Sequence, residues 1–131
     1  MYAYSLELSL PMDRAIEKLR EILMSEKMGV VAEIDAQAVL KAKIDHDIPP
    51  YRVLGICAPM IAKRVLAADG NGGALLPCGC AVRYIDANRT GIALQNPDMI
   101  AAAVDNAEIR AAMSEVKATI ERVVDKLKAL A

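Results

Sequence analysis

The chain has 131 residues, is 55% hydrophobic and carries a formal net charge of -1 at pH 7. This length is typical of one domain, so we expect a single domain over residues 1–131. Phe and Trp are absent and positive charge is not in excess. A protein that binds nucleic acid usually has a basic surface or aromatic rings on which bases stack, so a nucleic-acid partner is not expected.

The start of the chain and its apolar stretches indicate no targeting or membrane segment. Met1-Tyr2-Ala3 lacks the basic start and apolar run of a secretory signal, and no stretch reaches the roughly 18 apolar residues of a membrane span. We therefore expect a cytoplasmic protein with no membrane partner. In a reducing compartment its three cysteines are expected as free thiols or metal ligands rather than as disulfides.

The first half of the chain alternates strand and helix patterns. Apolar and polar residues alternate from Tyr4 to Leu10, which predicts a strand with one buried face. Apolar spacings of three and four predict a helix from Met12 to Lys27, and Gly29 is expected to end it in the left-handed conformation. Val30 to Ile34 is predicted as a second short strand, followed by a helix from Ala36 to about Ile44.

The middle of the chain predicts three more strands. Tyr51 to Cys57 is rich in β-branched residues, and Pro59 suits the first turn of a helix that continues to about Ala68. A long strand is expected from about Leu75 to Asp86. A hairpin at Ala87-Asn88-Arg89 would join it to an antiparallel strand, Thr90 to Leu94.

The last part of the chain predicts a short helix around Asp98 to Val104 and a long helix from Asn106. The long helix carries one apolar stripe: Ile109, Met113, Val116, Ile120, Val123 and Leu127. This order of elements predicts an α+β fold, with an antiparallel-rich sheet of about five strands and helices packed mainly on one face. The other face needs a cover. The apolar composition indicates that a second subunit supplies it, so we expect a homodimer.

Three segments in this order resemble the domain-of-unknown-function family 302: Gly29 to Asp35, Arg52 to Pro59, and Leu75 to Cys78. The resemblance spans nearly the whole chain. It implies a compact domain similar to the TATA-binding-protein-like class, usually paired as a dimer, with no established activity. The family pattern at the first cysteine is usually Cys-Asn-Pro. This chain has Ala58 in the middle, so any contact of that amide is missing, and Cys80 is particular to this sequence.

The cysteines are the main candidates for chemistry. Cys57 is expected between a strand end and a helix start, where free amides and the helix dipole would lower its thiol pKa. The alternative is a small buried hydrophobe, the common role of a free cysteine. Cys78 and Cys80 would share a face with Cα atoms about 6.5 to 7 Å apart. They could hold a soft metal with Cys57 and His46, although no Cys-x-x-Cys or His pair is present.

Other polar residues give weaker signals. His46 between Asp45 and Asp47 could act as an oriented base or ligand, but its place before two prolines is typical of a solvated loop. Gly70 to Gly73 follows a helix and precedes a strand, which indicates a turn rather than a phosphate loop. Arg52 and Arg83 could hold an anion if their strands flank a cleft, the alternative being a solvated or interfacial edge.

Three functions remain open. The sequence favours a dimeric binding or sensing module for a small ligand or soft metal, with a site near Cys57 and Cys78 that includes Pro59 and Arg52. The second is a thiol redox protein or enzyme in which Cys57 reacts and Cys78 resolves, which predicts a lowered thiol pKa. The third is a structural or interaction domain with inert thiols. No acid/base pair typical of an enzyme pocket is visible, and no cofactor is indicated.

Overall fold

A computed structural model describes all 131 residues. The elements in chain order are β1 (Ala3–Leu8), α1 (Met12–Ser25), β2 (Gly29–Asp35), α2 (Ala36–Ile44), β3 (Tyr51–Cys57), α3 (Pro59–Ala68), a 3-10 turn (Gly72–Leu75), β4 (Cys78–Asp86), β5 (Arg89–Gln95), α4 (Asp98–Ala103) and α5 (Ala107–Lys128). The strands form one five-stranded sheet in the order β1-β5-β4-β3-β2. Every neighbouring pair is antiparallel, which confirms the predicted fold class.

Successive side chains of each strand point to opposite sides of the sheet, and the two faces differ in burial. On one face, Leu54, Val82 and Leu94 are fully buried. They join residues of α1, α3 and α5, such as Leu19 and Ile120, in one cluster of 22 buried residues. Burying a side chain of this size stabilises the fold by about 1.5 to 3 kcal/mol. We call the opposite face of the sheet the open face.

The long helix α5 is the main cover of the buried face. Its predicted apolar stripe from Ile109 to Leu127 is buried throughout, because a spacing of three and four keeps those residues on one side. The helix begins after Asn106, whose side chain accepts a hydrogen bond from the Ile109 N–H at 3.0 Å.

Unlike α5, the helix α2 has no buried residue. None of the helices combines the length and the apolar character that a membrane span requires.

The end of α1 differs from the prediction. The helix stops at Ser25, Lys27 takes the left-handed conformation with φ of 59°, and Gly29 instead begins β2. The Met28 N–H donates to the Leu23 carbonyl at 2.9 Å, and both of these side chains are buried. This is the Schellman arrangement, in which the hydrophobic contact sets where the helix ends. The apolar pair therefore outweighs the conformational preference of the glycine.

The predicted strand from Leu75 starts only at Cys78, after the 3-10 turn. Pro77 has no N–H to donate to a ladder, so the strand cannot include it as a regular member. Its ring instead packs over Gly55 of β3, where a Cβ would collide with the Pro77 Cγ. The following hairpin turn consists of Ala87 and Asn88 alone, because Arg89 already belongs to β5.

Candidate functional site

The buried thiols lie on the helix side of the sheet. Cys78 and Cys80 share a face, as predicted, and are only 4% and 3% exposed. Burial raises the pKa of Cys78 to about 11, with a further contribution from the nearby Cys57, and raises the pKa of Cys80 to about 12. Both thiols are therefore protonated at neutral pH, whereas a nucleophile or a metal ligand must be a thiolate.

Cys57 ends β3 immediately before α3 and is partly exposed. The expected lowering of its pKa is wrong, because burial raises the pKa of the Cys57 thiol. The helix start offers few free donors: Pro59 has no N–H, and the Ile61 and Ala62 N–H groups donate to the Ala58 carbonyl at 2.9 and 3.0 Å. Ala58 is also the N-cap residue and supplies no side-chain hydrogen bond.

The other predicted site residues do not join the thiols. Arg52 lies at the opposite end of β3 from Cys57, about 16 Å away at the usual rise of a strand. Its guanidinium pairs with Glu33 at 3.1 Å and with Asp35 at 3.5 Å. Pro59 is an exposed first residue of α3. No three His, Cys, Asp or Glu side chains lie close enough to hold a metal ion.

The open face has a floor of small side chains. Ser5, Ala93, Ala81 and Val53 are successive register partners across four strands. On the next row Gly79 of β4 pairs with a glycine of β3. Because successive side chains of a strand point to opposite faces, these residues leave the centre of the open face without bulk.

Two adjoining cavities lie over this floor, with volumes of about 450 and 270 Å³. They share Tyr2, Tyr51, Ala81 and Ala93 as lining residues, so they form one continuous depression, which we call the sheet groove. Sites for small molecules have volumes of about 300 to 1,000 Å³. The groove therefore has the size of a ligand site. Neither Cys57 nor Cys78 lines it, whereas Cys80, which is 3% exposed, does.

Arg83 lies at one end of the sheet groove without an ionic partner. Its Nε and Cζ atoms are 3.0 and 3.1 Å from the point where a Cβ on Gly91 would stand, so the guanidinium rests directly on the glycine. Every other arginine of the chain pairs with an Asp or Glu carboxylate. The one carboxylate lining this end, Glu7, has its own partner in Arg89 at 3.6 Å.

The other end of the groove is more apolar. Val53, Met99 and Gln95 line it together with Gly79 and the small floor residues. The Gln95 Oε1 atom is buried and has no hydrogen-bond partner. An unpaired buried acceptor of this kind costs about 1 to 3 kcal/mol.

Asn96 holds one wall of the groove in place. It is 5% exposed, and its backbone N–H donates to the Tyr2 carbonyl at 2.8 Å. Its Nδ2 donates to the Met1 carbonyl at 3.3 Å, while its Oδ1 accepts from the Asp98 N–H at 3.0 Å. The backbone of Tyr2 is therefore anchored beside the floor, although its side chain is exposed.

Sequence reasoning named Arg83 as a candidate for an anion but did not find the groove. The available signal was the alternation of small residues on two facing strands, Gly79 with Ala81 and Gly91 with Ala93. Gly and Ala are depleted in strands. A double row of them therefore indicates a position where something must approach the sheet closely.

Comparison with known proteins agrees with the fold. The family model for the domain of unknown function DUF302 matches residues 4–127. The chain is also similar to the crystal structure of an uncharacterized conserved DUF302 protein from Bacillus stearothermophilus, with 26% identity and a TM-score of 0.84 over 97% of this chain and 98% of that one. No curated protein matches the chain. This chain therefore belongs to the DUF302 family.

Proposed function

We propose that this protein is a binding or sensing module for a small molecule, which occupies the sheet groove. The supporting observation is a continuous depression whose floor is made of small side chains, whose Gln95 Oε1 is buried without a hydrogen-bond partner, and whose exposed Arg83 has no ionic partner within the chain. Buried polar groups in proteins are nearly always hydrogen-bonded. A ligand lying over the floor could supply the partner that the Gln95 oxygen lacks.

The composition of the floor supports the same proposal. Ala81, Ala93 and Gly79 occupy strand positions where β-branched or aromatic residues would stabilise the sheet better. Gly79 in particular has no atom within 4 Å of the point where its Cβ would stand, so packing does not require a glycine there. Space for a ligand gives these small residues a role that sheet stability does not.

The thiols give less support to the redox or enzymatic alternative. Cys78 is buried and its pKa is about 11, so it is poorly suited to resolve an oxidised Cys57. The pKa of Cys57 is also raised rather than lowered, which disfavours the thiolate needed for attack. The homodimer and the cytoplasmic location stay predictions.

The experiment fills the groove without disturbing the fold. In Gly79→Val the new side chain would project over the floor, and its Cβ meets no neighbour. Gly29→Val is the matched control, since Gly29 also has no neighbour within 4 Å of its Cβ position and does not line the groove. Binding of the neutral dye Nile red is measured by fluorescence titration for the three proteins.

We expect Gly79→Val to weaken Nile red binding by about tenfold or more, because the valine side chain would occupy space that the dye needs. Binding by Gly29→Val should be unchanged. Equal binding by the wild type and Gly79→Val would contradict the proposal. Sedimentation of the same samples tests a competing occupant: a wild-type dimer that Gly79→Val converts to a monomer would show that a second copy, rather than a small molecule, covers the open face.

A further inference from the structure

We infer that the groove ligand is an amphipathic organic anion, with its carboxylate on Arg83 and its apolar body over Ala81 and Ala93. This inference rests on the proposed function and adds the chemical class of the ligand. It follows from the charges at one end of the groove, from the way in which Arg83 lies on the sheet, and from the apolar character of the other end.

The charged side chains that line the groove, Glu7 and Arg83, lie at one end of it. Glu7 lies 3.6 Å from Arg89, which it shares with Asp86 at 3.1 Å, and neither carboxylate pairs with Arg83. Arg83 therefore presents to the groove a guanidinium that no carboxylate of the chain contacts. A guanidinium presents a planar set of donors that matches a carboxylate with two parallel hydrogen bonds. An anionic head group is the chemistry that fits this end.

Gly91 determines where that guanidinium lies. With no side chain, Gly91 lets the Arg83 Nε and Cζ atoms lie 3.0 and 3.1 Å from the point where its Cβ would stand. The guanidinium thus lies against the backbone of the sheet, inside the groove that both residues line. A methyl group on Gly91 would need the space that the arginine occupies, and the flexible arginine would be the group to move.

The apolar part of the groove continues directly from Arg83. Ala81 and Gly79 follow it on the same face of β4 in steps of two residues, which extends the site by about 13 Å at the usual rise of a strand. Val53 and Met99 add apolar surface at the far end. An organic acid with a fused-ring or short-chain body would cover this length while its carboxylate reached Arg83.

The test uses a matched pair of probes, 2-naphthoic acid and 2-naphthamide, which differ mainly in charge. Their affinities are measured by competition with Nile red for the wild type, Arg83→Gln, Gly91→Ala and Lys63→Gln. Lys63 is an exposed residue of α3 outside the groove, so its variant controls for the loss of one positive charge. Thermal unfolding of each variant checks that the fold is intact.

We expect the wild type to bind the acid at least about tenfold more tightly than the amide, the scale of one charge-assisted contact. Arg83→Gln should abolish this preference and leave amide binding unchanged. Gly91→Ala should reduce the preference, and Lys63→Gln should keep it. Added salt should weaken acid binding more than amide binding.

The outcomes separate the two proposals. If both probes bind the wild type equally and Gly79→Val blocks both, the groove is a ligand site but the anionic ligand class is wrong. If Gly79→Val changes nothing for any probe, the proposed function itself is wrong. If Lys63→Gln loses the preference as strongly as Arg83→Gln does, the effect comes from the net charge, which also overturns the inference.

Discussion

The two faces of the sheet are built from the same strands but present different side chains. Along β4, Cys78, Cys80 and Val82 are buried against the helices, whereas the alternating residues Gly79 and Ala81 line the groove. Burial of large apolar side chains supplies most of the favourable free energy of folding. Neighbouring residues of one strand should therefore differ sharply in what their substitution changes: stability on the helix side, binding on the open face.

Thiol reactivity should show the largest difference between buried and exposed positions. With a pKa of about 11, about one Cys78 in a thousand is a thiolate at pH 8, and Cys80 is less ionised still. In native protein at pH 8 we expect a thiol-specific reagent such as DTNB to label Cys57 at least about a hundredfold faster than the other two cysteines, because thiolate fraction and access both control the rate.

Peptide mass spectrometry identifies the labelled residue, and Cys57→Ser serves as the control because it should remove the fast phase. Labelling of Cys78 or Cys80 at the rate of Cys57 in folded protein would contradict the burial on which the comparison of the two faces depends.

Substitution of adjacent residues in β3 should separate the faces in stability. Leu54 is fully buried on the helix side, and Val53 is 38% exposed on the open face. Leu54→Ala should lower the free energy of unfolding by about 2 to 5 kcal/mol because it leaves a cavity, while Val53→Ala should cost under about 1 kcal/mol. Urea denaturation followed by circular dichroism measures both. Equal losses would mean that the open face is covered in solution.

A pair of glycines tests where the open face is filled by the chain itself. Gly55 and Gly79 are register partners, but a Cβ on Gly55 would collide with Pro77 and lie 3.2 Å from the Ala32 Cβ, whereas Gly79 has free space. Gly55→Ala should destabilise the protein by about 1 to 3 kcal/mol through overpacking. Gly79→Ala should be neutral or stabilising by under about 1 kcal/mol.

Thermal unfolding compares these two variants with the wild type. The opposite order of melting temperatures would mean that Pro77 does not cover this end of the open face, and the groove would then extend further than the two cavities indicate.

The smallest effect is expected on the surface of the helix side. Arg122 and Lys126 of α5 bond Glu26 at 2.8 and 2.7 Å, and these hydrogen bonds lower the pKa of Glu26 from its ordinary value of 4.5. A carboxylate with a lowered folded pKa stabilises the protein above about pH 4.5, and this stabilisation is lost as the pH falls through the folded value.

Glu26→Gln should therefore be less stable than the wild type at pH 7, with a difference that shrinks as the pH is lowered below 4.5, the ordinary value of that carboxyl group. Urea denaturation at a series of pH values measures this difference. Glu21→Gln, which removes an exposed helix pair with Lys18, is the control and should have a smaller effect at pH 7. A difference that grows towards low pH would contradict the sign of the pKa shift.

Local periodicity was sufficient to predict most of the fold. Alternation predicted the strand at Tyr4, and spacings of three and four predicted the buried stripe from Ile109 to Leu127, since each pattern depends only on the geometry of its own element. The end of α1 was not predictable in this way. There the hydrogen bond from the Met28 N–H to the Leu23 carbonyl and the burial of both side chains decided the conformation, although Gly29 carried the usual local signal.

The site was harder to predict because it depends on contacts between distant segments. The two-residue spacing placed Cys78 and Cys80 on one face, but which face it is depends on how β4 pairs with β3 and β5. Similarly, Arg83 was recognisable as a possible anion ligand. Its lack of a partner depends on Glu7 being paired with Arg89, and that pairing appears only once β1 lies beside β5.

The anchoring of the first residues by Asn96 has a practical consequence for protein production. Because Asn96 bonds the Met1 and Tyr2 carbonyls, a purification tag fused ahead of Met1 would begin at the wall of the groove and could lie across the floor. A tag fused after Ala131 follows α5, which packs on the opposite face of the sheet. Proteins for the titrations should carry the tag at that end, or have it removed.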